Sequence, residues 1–194
     1  MGIPDWVKLL YTVAAVAMVA IYWVKYGPIN FLWFSDIAFI GAVPALWLES
    51  RWLAGTLAVS VLLPELLWNV DFLARLALRR RITGLTEYMF NPELPRWLRG
   101  VSLFHVAILP VLVWMVAAWG YPDESLPAAV VLALVVLPAS YALGSPEKNL
   151  NWVYGLGGRQ QHRFPPLVYL AMLTAAFIVL IFLPTHFLLR WLFG

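Results

Sequence analysis

The sequence predicts an all-α fold: one domain, residues 1–194, forming a bundle of six transmembrane helices in a polytopic integral membrane protein. Three observations predict it. Hydrophobic residues make up 63% of the chain and charged residues only 12%, against roughly one-quarter charged in a soluble domain. Six apolar windows approach the ~20 residues that a helix needs to cross a bilayer. The eleven Trp, eight Tyr and eleven Phe often flank those windows, as interfacial anchors do.

The windows follow in order. The first is Trp6–Tyr26, closed by Gly27-Pro28. It is expected to be retained, because Met1–Asp5 has no basic region and no cleavage pattern follows. The second is Asn30–Leu48, the third Trp52–Phe72 and the fourth Gly100–Trp119. The fifth is Leu126–Gly144 and the sixth Pro166–Trp191. Windows two to six each carry a proline (Pro44, Pro64, Pro110, Pro138, Pro184), which removes a helical hydrogen bond and favours a kink.

Short connections after windows two and four make antiparallel neighbours. The longer segments Leu73–Arg99 and Ser145–Pro165 then fall at one end of the bundle, here end B. That end receives ten of the thirteen Lys and Arg residues; Lys8, Arg51 and Arg190 go to the other, end A. The positive-inside rule makes end B cytoplasmic and puts both termini outside. The expected location is a plasma membrane of bacterial type. The clustered cations point to topology and not to nucleic acid. The chain has no Cys, so disulfides, thiolate metal sites and a Cys nucleophile are excluded.

Polar residues inside the windows converge on one level. Counting ~1.5 Å per residue from end B puts Asp36, Glu65 and His105 each about 8–10 Å deep. Asn69 shares a helix face with Glu65, and Ser102 with His105. Asn149 and Asn151 lie below, followed by Trp152 and Tyr154. Ionisable groups at such depth are costly and usually functional. The expectation is a polar chamber open toward end B. In it His105 is a general base and Asp36 or Glu65 orients it, because imidazole titrates near neutral pH. A hydrogen-bonded network that only fixes helix packing is the competing reading. No ligand spacing such as H-x-x-x-H is present, so no metal and no cofactor is expected.

Other polar features have simpler expectations. Asp71 and Arg75 are spaced to pair. Arg79-Arg80-Arg81 is a topology signal and an anionic-lipid contact. His186 is an interfacial or capping residue, and His162 sits in a solvated linker. Gly155-Leu156-Gly157-Gly158 follows no strand and is not a nucleotide loop. Pro92–Arg99, with Trp97, lies along the interface.

Three patches, His105-Val106-Ala107-Ile108-Leu109-Pro110, Asn151-Trp152-Val153-Tyr154 and Phe31-Leu32-Trp33-Phe34-Ser35-Asp36, resemble the androgen-induced six-span membrane hydrolases in order and spacing. These cleave fatty acid esters of hydroxy fatty acids. Their fold resembles that of a eukaryotic six-span acyltransferase and a bacterial integral membrane family. The resemblance covers about a third of the chain. It implies a histidine at His105 that assists a nucleophilic Thr, but the Thr position falls on Trp33, which cannot attack an ester. Ser35 lies two residues on, ~200° around a helix.

The expectation is a membrane lipid ester hydrolase or acyl-transfer enzyme. His105 is the base, Asp36 its orienter, and Ser35 or water the nucleophile. Glu65, Asn69, Ser102, Asn149, Asn151, Trp152 and Tyr154 line the substrate site, with Asn69 or Asn151 donating to the oxyanion. The partner is then membrane lipid. The alternative is a non-enzymatic membrane protein, either a small transporter or an accessory subunit bound to partner membrane subunits.

Overall fold

The computed structural model describes residues 2–194. Among them there is no strand. The helices are α1 (Asp5–Tyr26), α2 (Phe34–Trp47), α3 (Arg51–Leu78), α4 (Arg96–Val101), α5 (Phe104–Trp119), α6 (Ser125–Leu143), α7 (Pro166–Ala176) and α8 (Leu183–Phe193). A π-helical turn, Phe177–Phe182, joins α7 to α8 in one continuous helix. Pro184 accounts for its place: the ring denies Leu180 its helical partner, and a widened turn absorbs the misfit.

Five of the six expected crossings are long and apolar enough for a membrane: Asp5–Tyr26, Arg51–Leu78, Arg96–Trp119, Ser125–Leu143 and Pro166–Phe193. The second differs. Pro28 opens a 3-10 turn, Pro28–Leu32, and Trp33 is extended with φ −60° and ψ 133°. The α-helix therefore starts only at Phe34 and is 14 residues long, about 21 Å. The third runs further than expected, to Leu78, and ends on Arg79 in the left-handed region at φ 55°.

Helix α3 is the hub. It packs against α2, α5, α6, α8 and the π-helical turn. From Ala54 to Val61 every residue is buried, so this helix has no outward face over two turns. Small residues bring its neighbours close: Ala38, Ala42 and Ala45 on α2, Ala54 and Ala58 on α3, Ala129 and Ala133 on α6 are all sealed. A Cβ on Gly55 would collide with the Ser125 hydroxyl. Helix α1 is peripheral. It buries Tyr11, Ala15, Met18 and Tyr22 on one stripe and leaves Leu9, Val13, Val16 and Val24 exposed on the other. Exposed apolar side chains continue around the bundle through Leu66, Leu67, Val131, Leu134, Val135, Val179 and Leu180.

Contacts at the two ends follow the order of the chain. At end A, Lys8 on α1 reaches Glu49 after α2 at 2.7 Å. Arg190 on α8 lies 3.5 Å from Asp123 before α6. Buried His186 shares a 2.6 Å hydrogen bond with the Tyr121 hydroxyl, so it is a packing residue and not a cap. At end B, Lys148 donates to the Tyr26 carbonyl at 3.0 Å. Trp97 on α4 is exposed there, with the Lys25 ammonium 5.7 Å from its ring.

Candidate functional site

Glu65 and Asn69 on α3 are four residues apart, with Trp68 between them and Phe72 one turn on, so all four share the face turned to α5. There His105 Nδ1 meets both Glu65 oxygens, at 2.8 Å and 3.1 Å. Only 4% of the Glu65 side chain and 13% of the His105 side chain is accessible. The imidazole lies between two rings, Phe104 at 4.1 Å and Trp68 at 4.6 Å, both nearly parallel to it. Beside a carboxylate, the neutral ring carries its proton on Nδ1 and its lone pair on Nε2. Nε2 has no hydrogen-bond partner among the described residues, and it is not sealed from the exterior.

The carboxylate that orients His105 is therefore Glu65 and not Asp36. Asp36, 2% exposed, accepts a hydrogen bond from Asn30 Nδ2 at 2.8 Å. It faces the 3-10 turn before its own helix, which starts only at Phe34. Ser35 makes no hydrogen bond to His105, so no Ser–His pair exists among the described residues. Asp71 also departs from expectation. It does not pair with Arg75. Its Oδ1 accepts from the amides of Ile82, Thr83 and Gly84, and its Oδ2 from the Thr86 amide and hydroxyl. Five donors close around one buried carboxylate, fixing the loop that follows α3. Arg75 instead lies over the Phe90 ring, 4.7 Å from its centroid.

The amides expected to face a substrate face the protein. Asn69 Nδ2 donates to the Glu65 carbonyl at 2.8 Å and the His105 carbonyl at 2.9 Å, which uses both its hydrogens. Asn151 Oδ1 accepts from Phe34 N at 3.2 Å, while its Nδ2 donates to the Leu32 carbonyl at 2.7 Å and Ser140 Oγ at 2.9 Å. No side chain of the Trp33 region caps α2; Asn151 supplies the missing acceptor from a distant loop. Asn149 holds the same loop by accepting from Tyr154 N and donating to the Gly155 carbonyl. Tyr154 donates to the Tyr141 carbonyl at 2.7 Å, and the Trp152 carbonyl accepts from Tyr169. Asn149, Asn151 and Trp152 all have positive φ, 40°, 50° and 61°, a conformation uncommon for any residue but glycine. The price of that backbone is offset by this dense bonding. Ser102 Oγ is bonded to the Tyr22 hydroxyl at 2.7 Å.

Between α2, α5 and α1 the described residues include packed aromatic rings. Phe39 and Phe104 lie 4.8 Å apart, and Tyr22 meets Phe104 edge-on. The shallow depressions at end B lie elsewhere. One is lined by Ala20, Ile21, Val24, Lys25 and Trp97. The other is lined by Arg75, Glu87, Tyr88, Phe90, Asn91 and Pro92. Among the described residues no group of three His, Asp or Glu side chains is placed to hold a metal ion. Trp68, Phe104, Tyr22 and Tyr88 were missing from the sequence expectation. The first was legible as the residue between Glu65 and Asn69 on their face; the others depend on tertiary packing.

Comparison of the chain with protein-family models, curated proteins and solved structures finds no match.

Proposed function

We propose that this is an integral membrane protein in which His105, oriented by Glu65, is the general base for hydrolysis or transfer of an acyl ester in a membrane lipid. The long apolar helices and the apolar outer surface support the membrane reading, since a surface of that extent needs a non-aqueous surrounding. Ten of thirteen cations at end B support a cytoplasmic end B and external termini.

The observation that carries the enzymatic reading is the His105–Glu65 geometry: one ring nitrogen held by a buried carboxylate, the other unpaired. In hydrolysis, Nε2 takes a proton from water as the water oxygen bonds to the ester carbonyl carbon. The imidazolium then returns that proton to the leaving alkoxide as the C–O bond breaks. Glu65 stabilises the transient positive charge, and the Trp68 and Phe104 faces add cation–π attraction. An acyl-acceptor hydroxyl in place of water gives transfer instead. The resemblance to the androgen-induced hydrolases supports this chemistry, and Trp33 at the nucleophile position favours the water route over a covalent one.

The test is turnover of ester-linked lipids by protein purified into nanodiscs. His105→Ala should lower the rate ~10²–10⁴-fold with its unfolding transition intact. Activity surviving both His105→Ala and Glu65→Gln overturns the reading. The second reading, an accessory subunit or small transporter, is favoured by one observation: both Asn69 and Asn151 spend their amide hydrogens within the protein, so neither is free for an oxyanion. A stoichiometric partner and no ester turnover would support it.

A further inference from the structure

Arg75 stands apart from the other ionic groups near it. The carboxylate one turn before it, Asp71, has both oxygens occupied by the following loop. Glu87, the other carboxylate at this depression, is in ion-pair contact with Arg81. Among the described residues no carboxylate lies within ion-pair distance of Arg75. Its guanidinium rests on the Phe90 ring and lines the depression shared with Tyr88 and Asn91. Contact of the guanidinium carbon with the ring leaves N–H donors of the fork able to point away from it. Asn91 accepts from Glu93 N through Oδ1, which leaves its amide hydrogens available. Burial holds the Tyr88 phenol above its ordinary range, so its hydroxyl keeps a proton.

This depression is joined to His105 by packed rings. His105 stacks on Trp68, Trp68 on Phe72 at 5.1 Å, and Phe72 packs on Phe90 at 5.8 Å. Trp68 Nε1 also donates to the Tyr88 hydroxyl at 3.2 Å. The loop that carries Tyr88, Phe90 and Asn91 is anchored to α3 by Asp71.

We propose that the Arg75 depression is a subsite for a phosphate-bearing lipid headgroup, with Arg75 as the principal donor and Asn91 beside it. The proposal deepens the enzymatic reading by naming its substrate class. A phosphate oxyanion supplies the charge that Arg75 lacks and matches its donor fork. On the membrane reading, end B is where headgroups lie. The acyl chains of such a lipid would run up the apolar outer surface, with the ester region nearer His105.

Binding is measured separately from turnover. Detergent-solubilised full-length protein is titrated with a non-hydrolysable, ether-linked phosphatidic acid, and retention is read by native mass spectrometry. Arg75→Gln should weaken retention about tenfold or more, the scale of one charge-assisted hydrogen bond. Arg75→Lys should recover part of it. Arg80→Gln, which removes an exposed cation outside the depression, should leave retention unchanged. Equal losses in Arg75→Gln and Arg80→Gln would overturn the proposal in favour of diffuse attraction to the cationic run. Wild-type retention in Arg75→Gln would overturn it outright. Displacement by an equal concentration of inorganic phosphate would assign the site to a free anion and overturn the lipid assignment. Retention that depends on Arg75 in a protein that turns over no ester would sink the enzymatic reading and leave this site standing.

Discussion

His105 and Glu65 meet across the α3–α5 interface with 2.8 Å between Nδ1 and Oε2, and that contact fixes which imidazole nitrogen faces outward. Glu65→Gln keeps the size but removes the charge, and an amide can donate as well as accept. It can then hold the other tautomer, with the proton on Nε2, where it blocks base catalysis. We expect ester turnover to fall ~10²-fold or more in Glu65→Gln, with a much smaller loss in Asp36→Asn, whose carboxylate faces Asn30. Equal losses in the two variants would return Asp36 to the role of orienter.

The Asp71 cradle makes its own prediction. Asp71→Ala removes the acceptor of four backbone amides and one hydroxyl. Amide exchange at Ile82, Thr83 and Thr86 should then accelerate about tenfold or more, as the loop opens without global unfolding. Hydrogen-exchange mass spectrometry reads this directly. Unchanged protection would mean that the loop is held by contacts other than the carboxylate.

Asn151→Ala should destabilise the bundle by about 2–3 kcal/mol, because three hydrogen bonds are lost and the buried Phe34 amide is left dry. Thermal unfolding in detergent should show the loss. Asn149→Ala should cost less, since its bonds lie within one loop. A larger loss for Asn149→Ala would place the main anchor there.

The cation asymmetry predicts orientation. A reporter fused after Gly194 should read outside, and one inserted at Gly157, in the exposed end-B loop, should read inside. The reverse pattern would invert the orientation and leave the helix packing as described.

The long helices were legible because apolar runs closed by glycine, proline and charges leave little choice of boundary. Helix α2 was not. Its window is as apolar as the rest, and nothing in composition signals that Pro28 would start a 3-10 turn and Trp33 would break it. Helix-face spacing was legible too: Glu65 and Asn69, four apart, do meet the same stretch of α5 at His105. Depth alone does not give azimuth, and it was azimuth that paired His105 with Glu65 and turned Asp36 to Asn30. Asp71 and Arg75 illustrate the same limit. Their spacing suits an i,i+4 pair, but a loop rich in unpaired amides competed for the carboxylate and won. Asn151 could not have been assigned from sequence, because the amide that it caps lies 117 positions away.

That separation bears on how the chain is made. Synthesis delivers α2 long before Asn151, and a helix start without its acceptor frays. Until Asn151 has emerged, the first turn of α2 lacks the acceptor that bonds Phe34 N. Late arrival of the Asn149–Tyr154 loop then acts as a clasp that closes an early helix with a segment made more than a hundred residues later. A nascent chain stopped short of Asn151 should remain open to protease at Pro28–Asp36, and one that extends past Tyr169 should not.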